Sequence, residues 1–176
     1  MRTVVLGCCD PDLVSQRWMK VGRTSLFGHV KCCMGTVAEL AARSGNCCFH
    51  LNHVYRMPLK RPDCAGAGIP CRPYSSLRSN KATTPPQRHH EFQVLLDLLD
   101  YVERVRPRCG FVENVRGMTH KITKAAFIAE QGYASTMPRS WALWLKQQLE
   151  RLGYAVICIA VDNDVFGDMP RDRSTC

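Results

Sequence analysis

The stretch EFQVLLDLLDYVERVRPRCGFVEN, residues 91–114, carries a helical pattern that leads directly into a strand pattern. Apolar residues recur at helical spacing in its first half: Phe92, Leu95, Leu96, Leu99 and Val102. This stripe predicts an amphipathic helix that ends before Pro107, because a proline disfavours helical geometry in the residue before it. The apolar run CGFVEN at 109–114 then predicts a strand.

Strand and helix patterns alternate on both sides of this unit. The other predicted strands lie at 3–7, 29–33, 63–68 and 154–162. The other predicted helices lie at 12–22, 36–45 and 141–152, the last two closed by Gly45 and Gly153. This alternation predicts a single α/β domain over residues 1–176, with a mostly parallel sheet and helices on both faces.

Composition narrows the class of protein. The chain has 176 residues, of which 45% are hydrophobic and 22% charged, as is ordinary for a globular domain. No apolar run approaches the roughly 18 residues of a membrane span, and the start, MRTVVLGCCDPDL, is a poor signal peptide. The net charge of +9 favours a polyanionic partner such as nucleic acid, with a solvated basic surface as the alternative.

Eleven cysteines are present, six of them in three adjacent pairs. No C-x-x-C spacing occurs, so no metal site is predicted. Without a secretory signal we expect reduced intracellular thiols, most of them serving as small core hydrophobes.

Cys71 differs from the other cysteines in its surroundings. In PDCAGAGIPCRPYSS, residues 62–76, it follows a strand of small residues and sits between Pro70 and Pro73. The prolines stiffen the loop, and Arg72 and Arg78 are nearby cations that favour a thiolate. Ligands of parallel sheets bind beyond the carboxyl ends of the strands, which makes Cys71 a candidate nucleophile.

Glu113 ends the strand at 109–114, and the same argument places its carboxylate near Cys71. A cysteine and a glutamate at neighbouring strand ends can attack and protonate a ring. The alternative is that Glu113 caps a helix or pairs with an arginine.

Together these segments resemble the cytosine-5 DNA methyltransferases. AGIPCRPYS is similar to their Pro-Cys motif and FVENVRGM to their Glu-Asn-Val motif, with a helix between them. LERLGYAVICIAVDNDVFGDMPRDR resembles the following block, a strand and a loop with arginines. The three blocks occur in the family's order over roughly residues 62–173.

The resemblance implies a partial Rossmann-like, S-adenosylmethionine-dependent methyltransferase fold and a chemical mechanism. Cys71 would add to C6 of a cytosine flipped out of DNA, and C5 would then accept the methyl group. Glu113 would bind the N3/N4 edge of the base, and Arg171 or Arg173 would hold it. The implied location is intracellular, and nuclear in a eukaryotic cell.

The resemblance also implies cofactor contacts, some of which are altered. Asp10, Ile69 and Pro70 would contact S-adenosylmethionine. Cys8 stands where the family has an acid for the ribose, and Thr36 where it has the aspartate for the adenine.

The family's glycine-rich first loop and its target-recognition domain have no counterpart in these 176 residues. We therefore expect a truncated catalytic domain with impaired cofactor binding. The alternatives are a non-catalytic member that binds nucleic acid and a transfer-RNA cytosine-5 methyltransferase.

Overall fold

The computed structural model describes residues 8–9, 33–42, 44–48, 54–56, 61–75, 86–122 and 138–160. The helices among them are α1 (Val37–Ala41), α2 (Phe92–Val105) and α3 (Trp141–Arg151), with 3₁₀ turns at Pro86–Arg88 and Arg116–Thr119. The strands are β1 (Cys8–Cys9), β2 (Cys33–Met34), β3 (Ser44–Asn46), β4 (Val54–Arg56), β5 (Cys64–Gly68) and β6 (Cys109–Glu113). The chain is therefore of the α/β class. The predicted strand at 3–7 and helix at 12–22 lie outside the described residues.

The described strands form three separate two-stranded sheets rather than one continuous sheet. β1 and β2 are parallel, whereas β3 and β4 are antiparallel. The prediction of one mostly parallel sheet is thus met only in part among the described residues.

β5 and β6 form the third pair, and their hydrogen bonds define its direction and register. The amide of Cys109 donates to the carbonyl oxygen of Asp63 at 3.1 Å, and the amide of Ile69 donates to that of Glu113 at 3.4 Å. Contacts that advance together along both strands describe a parallel pair. In a parallel ladder this pattern sets Cys64 opposite Cys109.

Small residues in β5 allow this pair to form closely. A Cβ atom added at Gly66 would lie 2.5 Å from Cζ of Phe111, so the ring occupies the space of a side chain. Gly110 approaches the carbonyl oxygen of Ala65 in the same way. The expectation that the sheet is covered on both faces is wrong for this pair, in which Cys64, Gly66 and Phe111 are exposed. Strands made largely of glycine and alanine have little side chain to bury.

Helix α2 forms where its sequence predicts it, although its buried face is rotated from the expected stripe. Its most buried side chains are Phe92, Leu95, Leu98, Tyr101, Val102 and Val105. Leu96 and Leu99, which were expected in the core, are only half-buried. The face of α2 that becomes buried depends on the elements that pack against it, and the periodicity of the sequence alone does not identify those elements.

Helix α1 is shorter than predicted. Thr36 accepts a hydrogen bond from the Glu39 amide at 3.2 Å, and the Glu39 carboxylate accepts one from the Thr36 amide at 3.1 Å, which together make a capping box. The helix ends at Ala41, and Gly45 belongs to β3 instead of stopping the helix. Gly45 is required there because an added Cβ would lie 2.9 Å from that of Glu39.

Helix α3 begins where predicted and ends at Arg151, one residue before the predicted end, but the strand expected after it does not form over the described residues 154–160. Ser140 caps α3 by accepting from the Leu143 amide, and Gly153 follows its end with a φ of 88°. Residues 154–160 form no strand, and Ile157 and Ile159 are exposed. A strand needs a neighbouring strand for its hydrogen bonds, and an apolar run does not supply one.

The described residues divide into two compact units. One contains β1–β5, α1 and the segment Gln93–Val112, and the other contains the described residues of Ile69–Phe92 and those from Glu113 onward. Of the seven cysteines whose side chains are described, only Cys33 and Cys47 are buried. The expectation that most thiols serve as core hydrophobes is therefore wrong for the described residues. None of the described helices is long and apolar enough to cross a membrane.

Candidate active site

Cys71 lies in a tight turn that begins shortly after β5. The amides of Tyr74 and Ser75 both donate to the carbonyl oxygen of Cys71, at 2.9 Å each. Pro70 and Pro73 flank the cysteine and fix the φ angle on either side of it. Cys71 is half-buried. The turn thus constrains the backbone around the thiol while leaving the residue partly accessible.

The backbone of Ile69 joins this turn to the end of β6. Its amide donates to the carbonyl oxygen of Glu113 at 3.4 Å, and its carbonyl oxygen accepts from Nδ2 of Asn114 at 3.1 Å. Oδ1 of Asn114 in turn accepts from the amide of Val115 at 2.8 Å. These bonds bring together the two segments that contain Cys71 and Glu113. The catalytic roles assigned to the two residues stay predictions.

The Glu113 side chain is exposed at this strand end. Its carboxylate makes no ion pair of 4 Å or less with the residues that the structure describes. It does not cap the 3₁₀ turn at Arg116–Thr119, whose first position has no side-chain cap. Among the described residues, neither structural alternative for Glu113 is observed.

Arg72 is directed to Glu91 by an ion pair that the sequence did not reveal. Its Nη1 lies 3.5 Å from Oε1 of Glu91, and Nε2 of His90 lies 3.9 Å from the same oxygen. The Glu91 amide donates to Nδ1 of His89 at 3.2 Å, so that nitrogen is an acceptor. The rings of His89 and His90 stack with centroids 4.6 Å apart. The positive charge of Arg72, which the sequence offered for stabilising a Cys71 thiolate, is therefore partly balanced by the Glu91 carboxylate.

No sequence signal identifies this pair, because 19 positions separate Arg72 from Glu91. Glu91 precedes the first residue of α2, so the ion pair connects the Cys71 turn to the beginning of that helix. The Arg72 side chain is 74% exposed, and exposed ion pairs contribute little stability. The ion pair matters here because it directs the Arg72 guanidinium toward Glu91.

The turn packs on a cluster of aromatic side chains through Tyr74. The ring of Phe92 lies 6.4 Å from that of Tyr74, 5.2 Å from that of Trp141 and 6.3 Å from that of Trp144. All four residues are buried. Trp141 and Trp144 are thus packing residues.

The Tyr74 hydroxyl is buried in this cluster without a hydrogen-bond partner among the described residues. Burial raises the pKa of Tyr74, because the interior disfavours the phenolate.

Several predicted site residues lie outside the described residues: Asp10, Arg78, Arg171 and Arg173. Their assigned roles stay predictions, as do the cofactor contacts of Ile69 and Pro70. Thr36 is described, and its hydroxyl accepts from the Glu39 amide as the cap of α1. Among the described residues, no group of three His, Cys, Asp or Glu side chains could hold a metal ion.

The family model for C-5 cytosine-specific DNA methylases matches residues 51–174 of this chain. The match includes Cys71, Glu113 and the late arginines. No curated protein and no solved structure matches the chain.

Proposed function

The chain belongs to the C-5 cytosine-specific DNA methylase family, and on that premise we propose that Cys71 is the nucleophile of a DNA cytosine-5 methyltransferase. The observation that carries this proposal is the double hydrogen bond of Ile69 to Glu113 and Asn114, because it joins the two motif segments. Cys71 follows Ile69 by two residues, so its turn starts at the strand end where Glu113 lies.

The reaction begins with addition of the Cys71 thiolate to C6 of cytosine. A bond forms between Sγ and C6, and the electron pair of the C5–C6 double bond makes C5 nucleophilic. Glu113 holds the N3/N4 edge and balances the charge that develops on the ring. Arg171 or Arg173 holds the base in the pocket. S-adenosylmethionine, when bound, would supply the methyl group that C5 accepts, and loss of the C5 proton would then expel the Cys71 thiolate and restore the C5–C6 double bond.

Members of this family take the methyl group from S-adenosylmethionine. The described residues fit this cofactor only in part. Thr36, at the position of the adenine-binding aspartate, offers no carboxylate, and its hydroxyl and amide are bonded to Glu39 within the α1 cap. We therefore propose that this chain binds the cofactor weakly. Calorimetric titration that gives micromolar or tighter binding to the chain would contradict this.

The thiol addition can be tested without the cofactor. Reversible addition at C6 lets C5 exchange its hydrogen with solvent, so a duplex incubated with the protein in deuterated water should gain deuterium at cytosine C5. We expect this exchange from the natural chain and none from Cys71→Ser, while Glu113→Gln slows it by about 10²–10³-fold. The Cys158→Ser variant is the matched control, since it removes an exposed thiol to which no catalytic role is assigned.

A second experiment tests complete methyl transfer. Duplex DNA that contains 5-fluorocytosine traps the covalent adduct after methylation, because fluorine cannot leave as the C5 proton does. An adduct mapped to Cys71 with S-adenosylmethionine supports the full reaction. Exchange without trapping supports an active thiol with a deficient cofactor site. If a folded protein shows neither, the catalytic proposal is wrong.

A non-catalytic function in nucleic-acid binding is the second candidate. The net charge of +9 favours it, as does the exposure of Arg72, Arg88, Arg116 and Arg139. It predicts that Cys71→Ser binds duplex DNA as tightly as the natural chain, with an affinity that falls steeply as salt is raised. Parallel assays with transfer RNA separate the RNA methyltransferase alternative, which predicts exchange on transfer RNA and none on duplex DNA.

A further inference from the structure

Two cysteines face each other at the beginning of the β5/β6 pair. The amide of Cys109 donates to the carbonyl oxygen of Asp63, which sets Cys64 opposite Cys109 in the parallel ladder. Directly opposed residues on neighbouring strands have side chains on the same face of the sheet. The two thiols therefore lie side by side although 45 positions separate them in sequence.

Their side chains are in contact with each other and accessible to solvent. The thiols of Cys64 and Cys109 share a hydrogen bond, and Sγ of Cys109 also donates to the carbonyl oxygen of Asp63 at 3.2 Å. Both residues are exposed and reduced. The hydrogen bond to Cys109, followed by desolvation, raises the pKa of Cys64.

The spacing of the strands suits a disulfide. Neighbouring strands are about 4.8 Å apart, which lies within the range of about 4.4–6.8 Å between the Cα atoms of bonded cysteines. The other described thiol contact, between Cys48 and Cys33, lacks this access because Cys33 is fully buried. Among the described cysteines, Cys64 and Cys109 combine contact, register and exposure.

We propose that Cys64 and Cys109 form a dithiol site that small-molecule disulfides oxidise to an intramolecular disulfide. One protein thiolate attacks the small disulfide, so one sulfur–sulfur bond forms as another breaks and a small thiolate leaves. The second protein thiolate then displaces the remaining small thiol and closes the Cys64–Cys109 bond. Two protein thiols are oxidised, one small disulfide is reduced to two thiols, and the two protons leave with them.

Peptide mapping after treatment with oxidised glutathione tests this site. Trypsin does not cleave before proline, so Cys64 and Cys71 remain together in the peptide 61–78, while Cys109 begins the peptide 109–116. We expect these two peptides to be linked in the treated natural chain. Fragmentation should assign the bond to Cys64, and Cys71→Ser should form the same link.

Single variants complete the test. Cys64→Ser and Cys109→Ser should lose the link, and Cys109→Ser should instead carry glutathione on Cys64. The exposed Cys158 is the matched control, and Cys158→Ser should form the link in unchanged yield. Glutathione on both Cys64 and Cys109 without a link would overturn the proposal, and so would a bond from Cys71 to Cys109. Neither outcome depends on methyl transfer.

Discussion

The turn at 69–75 and the segment at 154–160 each follow a regular element, yet they differ in what holds them. The turn is fixed by backbone hydrogen bonds at Ile69 and Cys71 and by the buried ring of Tyr74. The segment forms no strand, and its isoleucines are 85% and 77% exposed at Ile157 and Ile159. The turn is thus held by its own hydrogen bonds, by bonds to the end of β6 and by one packed aromatic cluster, whereas the apolar run at 154–160 pairs with no strand among the described residues.

The largest expected effect comes from removing the aromatic support of the turn. Phe92 is 1% exposed and contacts Tyr74 and both tryptophans of the cluster. We expect Phe92→Ala to lower the free energy of unfolding by about 3–5 kcal/mol, through lost burial and the cavity that remains. Urea denaturation monitored by tryptophan fluorescence measures this change.

The matched control uses the same substitution at an exposed phenylalanine. Phe111 is 66% exposed, and Phe111→Ala should change the free energy of unfolding by less than about 1 kcal/mol. An equal loss in the free energy of unfolding for the two variants would contradict the expected contrast between the buried Phe92 and the exposed Phe111.

The next effect comes from the hydrogen bonds at Ile69. Asn114→Asp keeps an acceptor for the Val115 amide but cannot donate to the carbonyl oxygen of Ile69. We expect a loss of about 1–3 kcal/mol in the free energy of unfolding, because a part-buried acceptor loses its donor beside a new charge. The deuterium exchange at cytosine C5 should slow as well, since the Cys71 turn is no longer tied to β6. Unchanged stability and exchange would mean that Asn114 does not fix the turn.

The third prediction has the opposite sign. The Tyr74 hydroxyl is buried without a partner among the described residues, and such a group costs free energy in the folded state. Tyr74→Phe should therefore raise the free energy of unfolding by about 1 kcal/mol at neutral pH.

This variant should also alter the dependence of stability on pH. Because the pKa of Tyr74 is raised in the folded state, the unfolded chain loses that proton first and the natural protein loses stability above about pH 10. Tyr74→Phe should lack that part of the loss. A variant that is less stable at neutral pH would indicate that the hydroxyl is bonded.

Local signals predicted the parts of the fold that form locally. The helical stripe from Phe92 and the following strand at Cys109 appear as expected, and Gly153 follows the end of α3 with the positive φ that glycine favours. The strand of small residues before Cys71 also forms, as β5, and the ring of Phe111 approaches it closely at Gly66. Each of these signals, whether a helical stripe, an apolar run, a glycine after a helix or a row of small residues, can be identified from a few neighbouring residues.

Features that depend on distant partners were missed. Two such contacts are the ion pair of Arg72 with Glu91 and the hydrogen bond from Asn114 to Ile69. Each joins positions far apart in sequence, and no pattern in the sequence links the two residues. The buried arc of α2 includes Leu98 in place of Leu99 for the same reason. Motif order identified the candidate catalytic pair, while the contacts that position it required the fold.

The smallest expected effect tests the segment at 154–160 directly. Ile157 lies 85% exposed, so Ile157→Ala removes little buried surface and should change the free energy of unfolding by no more than about 0.5 kcal/mol. Ile122 is the matched control: it is 5% exposed, and its amide donates to the carbonyl oxygen of Arg139 at 2.9 Å. Ile122→Ala should cost about 2–5 kcal/mol, because the same atoms leave a cavity there. If Ile157→Ala lowers the free energy of unfolding as much as the ~2–5 kcal/mol expected for Ile122→Ala, residues 154–160 are packed in solution, and the contrast with the Cys71 turn disappears.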